Sequence, residues 1–183
     1  MFEKLLKKIS NVLKKNDIPY MIIGGQAVLL YGEIRLTKDI DITLGTGIEG
    51  LNKIKDIISF LDFKVLVDDL EDFVKKTMVI PVIDEKSNIR IDFILSFSPY
   101  ERQAINRARI IKLGKSTVKF ASLEDIVIHK IIAGRARDIE DVRSILIKNS
   151  SYDREYIFMW LKEFDLSLEE NFCEKFKDVM KNL

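Results

Sequence analysis

The sequence predicts an α/β (α+β) core that gives way to an all-α extension at about residue 121. Three observations carry this. Asp39–Leu44 alternates polar and apolar residues, the period of a half-buried strand. Ile89–Leu95 does the same. From Ser122 to the end the apolar residues keep helical spacing, enough for four helices. Two regions follow, a core over residues 1–121 and a helical subdomain over 122–183. Apolar residues make up 47% of the 183 and charged residues 32%, which supplies a core and argues against disorder.

The elements follow in order. Residues 2–16 form an amphipathic helix, with Leu5, Leu6, Ile9, Val12 and Leu13 on one face and lysines mostly on the other. Pro19 closes it, and a short strand, Tyr20–Ile23, comes next. Gly24-Gly25 ends that strand and opens a helix at about residues 26–31. After Asp39–Leu44, residues 48–61 read as a helix, 63–67 as a strand and 70–76 as a short helix. Strands at 77–83 and Ile89–Leu95 flank a polar turn at 84–88. Ser98-Pro99 opens a helix to residue 108, and a hairpin turns at Gly114-Lys115.

Several chemistries are excluded. With one cysteine (Cys173) and one histidine (His129), neither an intrachain disulfide nor a Cys/His zinc site can be completed. No His/Asp metal motif for a phosphohydrolase is present. No apolar run is long enough to span a bilayer, and the chain opens on an amphipathic helix rather than a signal peptide, so the expected compartment is the cytoplasm. The net charge is +1, without a global basic footprint. Locally, Arg102, Arg107, Arg109, Lys112, Lys115 and Lys119 stand against the single acid Glu101, a solvated face or a strip facing RNA. The run Asp68-Asp69-Leu70-Glu71-Asp72 is acidic.

Asp39 and Asp41 share one face of their strand because successive side chains alternate. Aspartate is depleted in strands, so two on one face need a reason. In "NIRIDFILS", Asp92 lies on the face opposite Ile89, Ile91, Phe93 and Leu95. Three carboxylates on one sheet face repel unless a cation joins them. Hard oxygen ligands suit Mg²⁺ or Mn²⁺, which also take substrate phosphates. The glycine pair lets backbone approach a ligand, and a helix N-terminus offers free N–H groups to an anion. Lys130 follows Leu123, Ile126 and Val127 onto the apolar side of its helix and needs an anionic partner, either Asp138 or Asp141 or a phosphate. Phe158, Trp160 and Phe164 read as core.

Apolar-Gly-Gly, then Asp-apolar-Asp, then a third strand aspartate resembles the DNA polymerase β-like nucleotidyltransferase superfamily. The wording "GGQAVLLYGEIRLTKDIDI", with Lys130 and Arg137-Asp138-Ile139-Glu140-Asp141, resembles the branch of AbiEii-type toxins and related small proteins. The resemblance covers residues 18–147. It implies a nucleotidyltransferase-type mixed sheet flanked by helices, with a C-terminal helical extension. It also implies metal-dependent transfer of a nucleoside monophosphate from a nucleoside triphosphate to a hydroxyl of RNA, protein or a small molecule, with release of pyrophosphate. Asp39, Asp41 and Asp92 would hold Mg²⁺ or Mn²⁺, Asp92 serving also as base. Gly24, Gly25 and Lys130 would bind the triphosphate. Many members carry Gly-Ser where this chain has Gly24-Gly25, so backbone alone must do that serine's work. The alternative is a non-catalytic nucleotide-binding protein or a toxin–antitoxin partner protein of the same fold, with an antitoxin as a possible partner.

Overall fold

The computed structural model describes residues 1–96 and 98–183. Among the described residues the strands are β1 (Tyr20–Ile23), β2 (Asp39–Leu44), β3 (Lys64–Val65), β4 (Val79–Asp84), β5 (Ile89–Leu95), β6 (Arg109–Leu113) and β7 (Ser116–Phe120). The helices are α1 (Phe2–Lys15), α2 (Gly24–Tyr31), α3 (Leu51–Phe60), α4 (Leu70–Thr77), α5 (Pro99–Arg107), α6 (Leu123–Ala133), α7 (Ala136–Lys148), α8 (Arg154–Leu168) and α9 (Phe172–Lys181). The chain forms two compact units. One comprises Met1–Gln26 and Thr37–Ala121, the other Ala27–Leu36 and Ser122–Leu183.

The first unit is built on one seven-stranded mixed sheet of order β3-β4-β5-β2-β1-β7-β6. β2 pairs with β5 in parallel and β1 with β7 in parallel, and the remaining pairs are antiparallel. Alternation decides what each face does. Ile40, Ile42 and Leu44 of β2 and Ile89, Ile91, Phe93 and Leu95 of β5 are buried together on one face. The opposite face of the same two strands carries the aspartates. A one-residue slip would exchange the two sets, so the greasy face fixes the register that aligns the polar one.

Local signals set the ends. Ser98 and Glu101 form a reciprocal capping box at α5, with Pro99 in the first turn. Asp69 of the acidic run accepts from the Asp72 N–H, which gives part of that run a structural use as the α4 cap. The helix expected over 48–61 begins instead as a 3-10 turn, Ile48–Gly50, before α3. The expected strand at 63–67 shrinks to β3 at the sheet edge.

The second unit is helical apart from its first segment. Residues Ala27–Leu36 belong to it, although the sequence division left them in the core. Hydrogen bonds distant in sequence tie this segment down: Asn149 Nδ2 to the Tyr31 carbonyl, Lys148 Nζ to the Gly32 carbonyl and the Glu33 N–H to Ser144 Oγ. Asp125, fully buried, accepts from Ser122 Oγ at 2.6 Å and from the Tyr156 hydroxyl at 2.9 Å. On α8 the buried residues are Tyr156, Ile157 and Leu161. Phe158, Trp160 and Phe164, expected in the core, are only half-buried. Phe158 meets Phe176 edge-on at 5.2 Å.

An ionic cluster lies within this unit. Arg35 grips Asp141 with two bonds of 2.7 and 2.8 Å. Lys130 Nζ lies 2.5 Å from Asp138 and 2.9 Å from Asp141. Asp138 and Asp141 are buried, and the Lys130 side chain is 11% exposed. Burial pushes the Asp141 carboxyl up, but hydrogen bonds and charge from Arg35 and Lys130 outweigh it and hold the group below its ordinary range.

A lowered folded value means the cluster stabilises in full above the unfolded carboxyl value of about 3.9. That stabilisation is lost as pH falls through the lower folded value. Lys130→Met leaves two buried carboxylates with less counter-charge and is expected to cost about 3 kcal/mol at pH 7. Chemical denaturation at several pH values is expected to show the deficit shrinking below about pH 4, as Asp141 protonates. A deficit of equal size at pH 7 and pH 3 would contradict the ionic account.

Candidate active site

The register builds the site. β2 and β5 align Asp39 with Arg90 and Asp41 with Asp92 as direct partners. All four project from one face, on strands about 4.8 Å apart. Two carboxylates directly opposite each other repel, so the Asp41–Asp92 pair is unfavourable by itself. β1 brings its last residue, Ile23, opposite Asp41 in antiparallel register. The next residue, Gly24, therefore arrives beside the Asp41 carboxylate.

Gly24 has φ +63°, and a Cβ placed there would lie 1.9 Å from Asp41 Oδ2 and 2.8 Å from its Cγ. The first glycine is thus required twice, by backbone conformation and by close approach. α2 begins at Gly24 itself rather than at residue 26, so both glycines lie in its first turn. Their N–H groups stand at a helix N-terminus next to the carboxylate face.

Each outlying carboxylate engages a donor of the chain. Thr37 Oγ1 donates to Asp39 Oδ1 at 3.1 Å. Arg90 Nε donates to Asp92 Oδ1 at 2.9 Å. That hydrogen bond above all raises Arg90 above its ordinary range; burial opposes it, and the charges of Asp92, Asp39 and Asp41 add to it. Among the described residues, no three His, Cys, Asp or Glu side chains are gathered tightly enough to hold a metal ion as they stand. The donor set still fits a hard divalent cation in kind: three carboxylates on one face, with glycine backbone against the middle one.

Lys130 is in the helical unit, paired with Asp138 and Asp141. Asp84 pairs with Ile89 at the end of β4 and so belongs to the apolar face of the sheet, where Ser87 caps it. Burial, then Asp165, pushes the Cys173 thiol up to about 11, far from a thiolate at neutral pH. A cleft of about 440 Å³, lined in part by Thr46, Glu49, Met78, Ser96 and Arg102, opens where β2 and β5 end, away from Asp39.

Over residues 1–162 the sequence matches the family described as "Nucleotidyltransferase of unknown function (DUF6036)". The chain belongs to this family. It is therefore a nucleotidyltransferase with the DNA polymerase β-like fold. No curated protein sequence matches it. Among solved structures, the antibiotic-resistance factor ANT(2'')-Ia is similar with a TM-score of 0.63 and 17% identity, over 91% of this chain and 94% of that one. The lincosamide antibiotic adenylyltransferase LnuA, in its lincomycin-bound form, has a TM-score of 0.55 and 15% identity, over 78% and 94%. An antigenic nucleotidyltransferase-like protein from Paracoccidioides brasiliensis has a TM-score of 0.55 and 18% identity, over 79% and 74%. Among the described residues, no helix is long and apolar enough to cross a membrane.

Gly24→Ala tests the junction. Forcing a Cβ into a left-handed position against Asp41 is expected to cost about 1–3 kcal/mol. The loss is expected to halve in the double variant Gly24→Ala/Asp41→Ala, because the overlap with Oδ2 and Cγ is then gone, leaving backbone strain and a 3.1 Å approach to the Asp41 Cβ. A double-mutant cycle by thermal unfolding reads this directly, and strict additivity would contradict the contact.

Proposed function

We propose that this nucleotidyltransferase moves a nucleoside monophosphate from a nucleoside triphosphate to a hydroxyl acceptor, using divalent cations held by Asp39, Asp41 and Asp92. The observation that carries the reading is the in-register opposition of Asp41 and Asp92 on the face that meets Gly24. Mg²⁺ or Mn²⁺ bound there would supply positive charge to the triphosphate and to the entering and leaving oxygens. The N–H groups of Gly24 and Gly25 hold phosphate oxygens at the start of α2. The acceptor oxygen forms a bond to the α-phosphorus, and the bond from that phosphorus to the bridging oxygen breaks. Its electron pair leaves with pyrophosphate. Asp92, half-buried, takes the proton of the acceptor hydroxyl.

Two acceptor classes have support. RNA is favoured by the exposed Arg107, Arg109, Lys112 and Lys115 at and beside the β6 edge. A small-molecule acceptor is favoured by likeness to an antibiotic-resistance factor over nearly the whole of both chains. The rival reading is a nucleotide sensor or antitoxin partner without turnover. It draws on the engagement of Asp92 by Arg90.

Incubation with each labelled triphosphate, Mg²⁺ or Mn²⁺, and cellular RNA, protein or an aminoglycoside panel separates these readings. Label transferred to one class identifies the acceptor, and tight nucleotide binding without transfer favours the sensor. Asp41→Asn is expected to reduce transfer by more than about 100-fold. In EDTA the same variant is expected to unfold about 1–3 °C higher, since it relieves the repulsion with Asp92. A lower midpoint in EDTA would assign Asp41 a structural role.

A further inference from the structure

We propose that Arg90 is a resident counter-ion of the carboxylate face, competing with the divalent cation for Asp92 and so setting the chain's cation affinity. This inference rests on the metal-site reading above and goes beyond it by assigning a residue that reading does not use.

The positions are specific. Arg90 lies two residues before Asp92 on β5 and directly opposite Asp39 on β2. It therefore sits at one corner of a square whose other corners are Asp39, Asp41 and Asp92. On the far side of β5, the partners on this face are Pro81 for Asp92 and Ile83 for Arg90, so β4 contributes no charge to the face. The Nε–Oδ1 bond of 2.9 Å occupies an oxygen of the carboxylate that faces Asp41. The positive charge of the guanidinium on that carboxylate opposes the arrival of a divalent cation beside it.

Exposure makes the exchange feasible. The Asp92 side chain is 19% exposed while that of Arg90 is 54% exposed, so the arginine can leave its partner for water without a buried charge being created at its own end. The carboxylate cannot leave, being on a central strand. With Arg90 in place the repulsion between Asp41 and Asp92 is offset. When a cation arrives it takes over that role, and the freed guanidinium remains on the same face as a planar, five-donor group suited to phosphate oxygens.

Isothermal titration of Mn²⁺ into the nucleotide-free full chain tests this. Arg90→Gln removes the competing charge, and Mn²⁺ is expected to bind about tenfold more tightly than to wild type. Arg90→Lys keeps the charge and is expected to stay within about threefold of wild type. Equal or weaker Mn²⁺ binding by Arg90→Gln overturns the counter-ion role while leaving the metal site intact. Absence of Mn²⁺ binding by wild type and variant alike overturns the metal site and this proposal together. Should Arg90→Gln fail to fold, the wild type decides: the Arg90 Nε–H resonance, protected by Asp92, is expected to shift and exchange faster on saturation with Mg²⁺. An unchanged resonance overturns the proposal.

Discussion

Two like charges held face to face on adjacent strands organise the sheet-bearing unit. Asp41 and Asp92 are direct partners in a parallel pair, an arrangement a sheet avoids unless something else enforces it. Enforcement comes from the other side. Ile40, Ile42, Ile91 and Phe93 are fully buried on the opposite face, and any slip of register would expose them. The hydrophobic effect thus holds together what electrostatics would separate. Gly24 presses backbone against Asp41, and Arg90 answers the charge of Asp92. A site prepared in this way favours a strongly positive ligand before any substrate is considered.

The helical unit solves a related problem with the opposite outcome. Asp138 and Asp141 are acids too, here buried, yet Lys130 and Arg35 neutralise them from within the chain. Removing one partner of such a cluster costs more than making it gained, so these groups act as a unit. Arg35 also anchors residues 32–36, which several backbone bonds already hold. The buried acidic pair is closed by its own cations; the half-buried one keeps a half-exposed arginine that can be exchanged.

Most of the framework was legible because it depends on local pattern. β1, β2 and β5 match their expected bounds, since alternation and terminal glycines state them. The three aspartates were legible as a set because period two assigns faces without knowledge of pairing. What the sequence could not show is which residue stands opposite which. Arg90 was visible as a same-face neighbour of Asp92, but its position across from Asp39 depends on a strand order no single sequence displays. Arg35 was missed for the same reason, since its partner lies 106 residues away. The helix at 48–61 was too long because Ile48–Gly50 closes as a 3-10 turn before α3, and the aromatics of α8 read as core although Tyr156, Ile157 and Leu161 take that place.

On the proposed reading, a cation and a triphosphate meet on the face shared by Asp39, Asp41 and Asp92. The most direct measurement is the anomalous scattering of Mn²⁺ in crystals grown with a non-hydrolysable nucleoside triphosphate. A peak within coordination distance of Asp41 and Asp92, about 2.1–2.3 Å from their oxygens, with phosphate density against the Gly24-Gly25 backbone, is the predicted result. Mn²⁺ and nucleotide bound elsewhere, with Arg90 still on Asp92, would contradict the account.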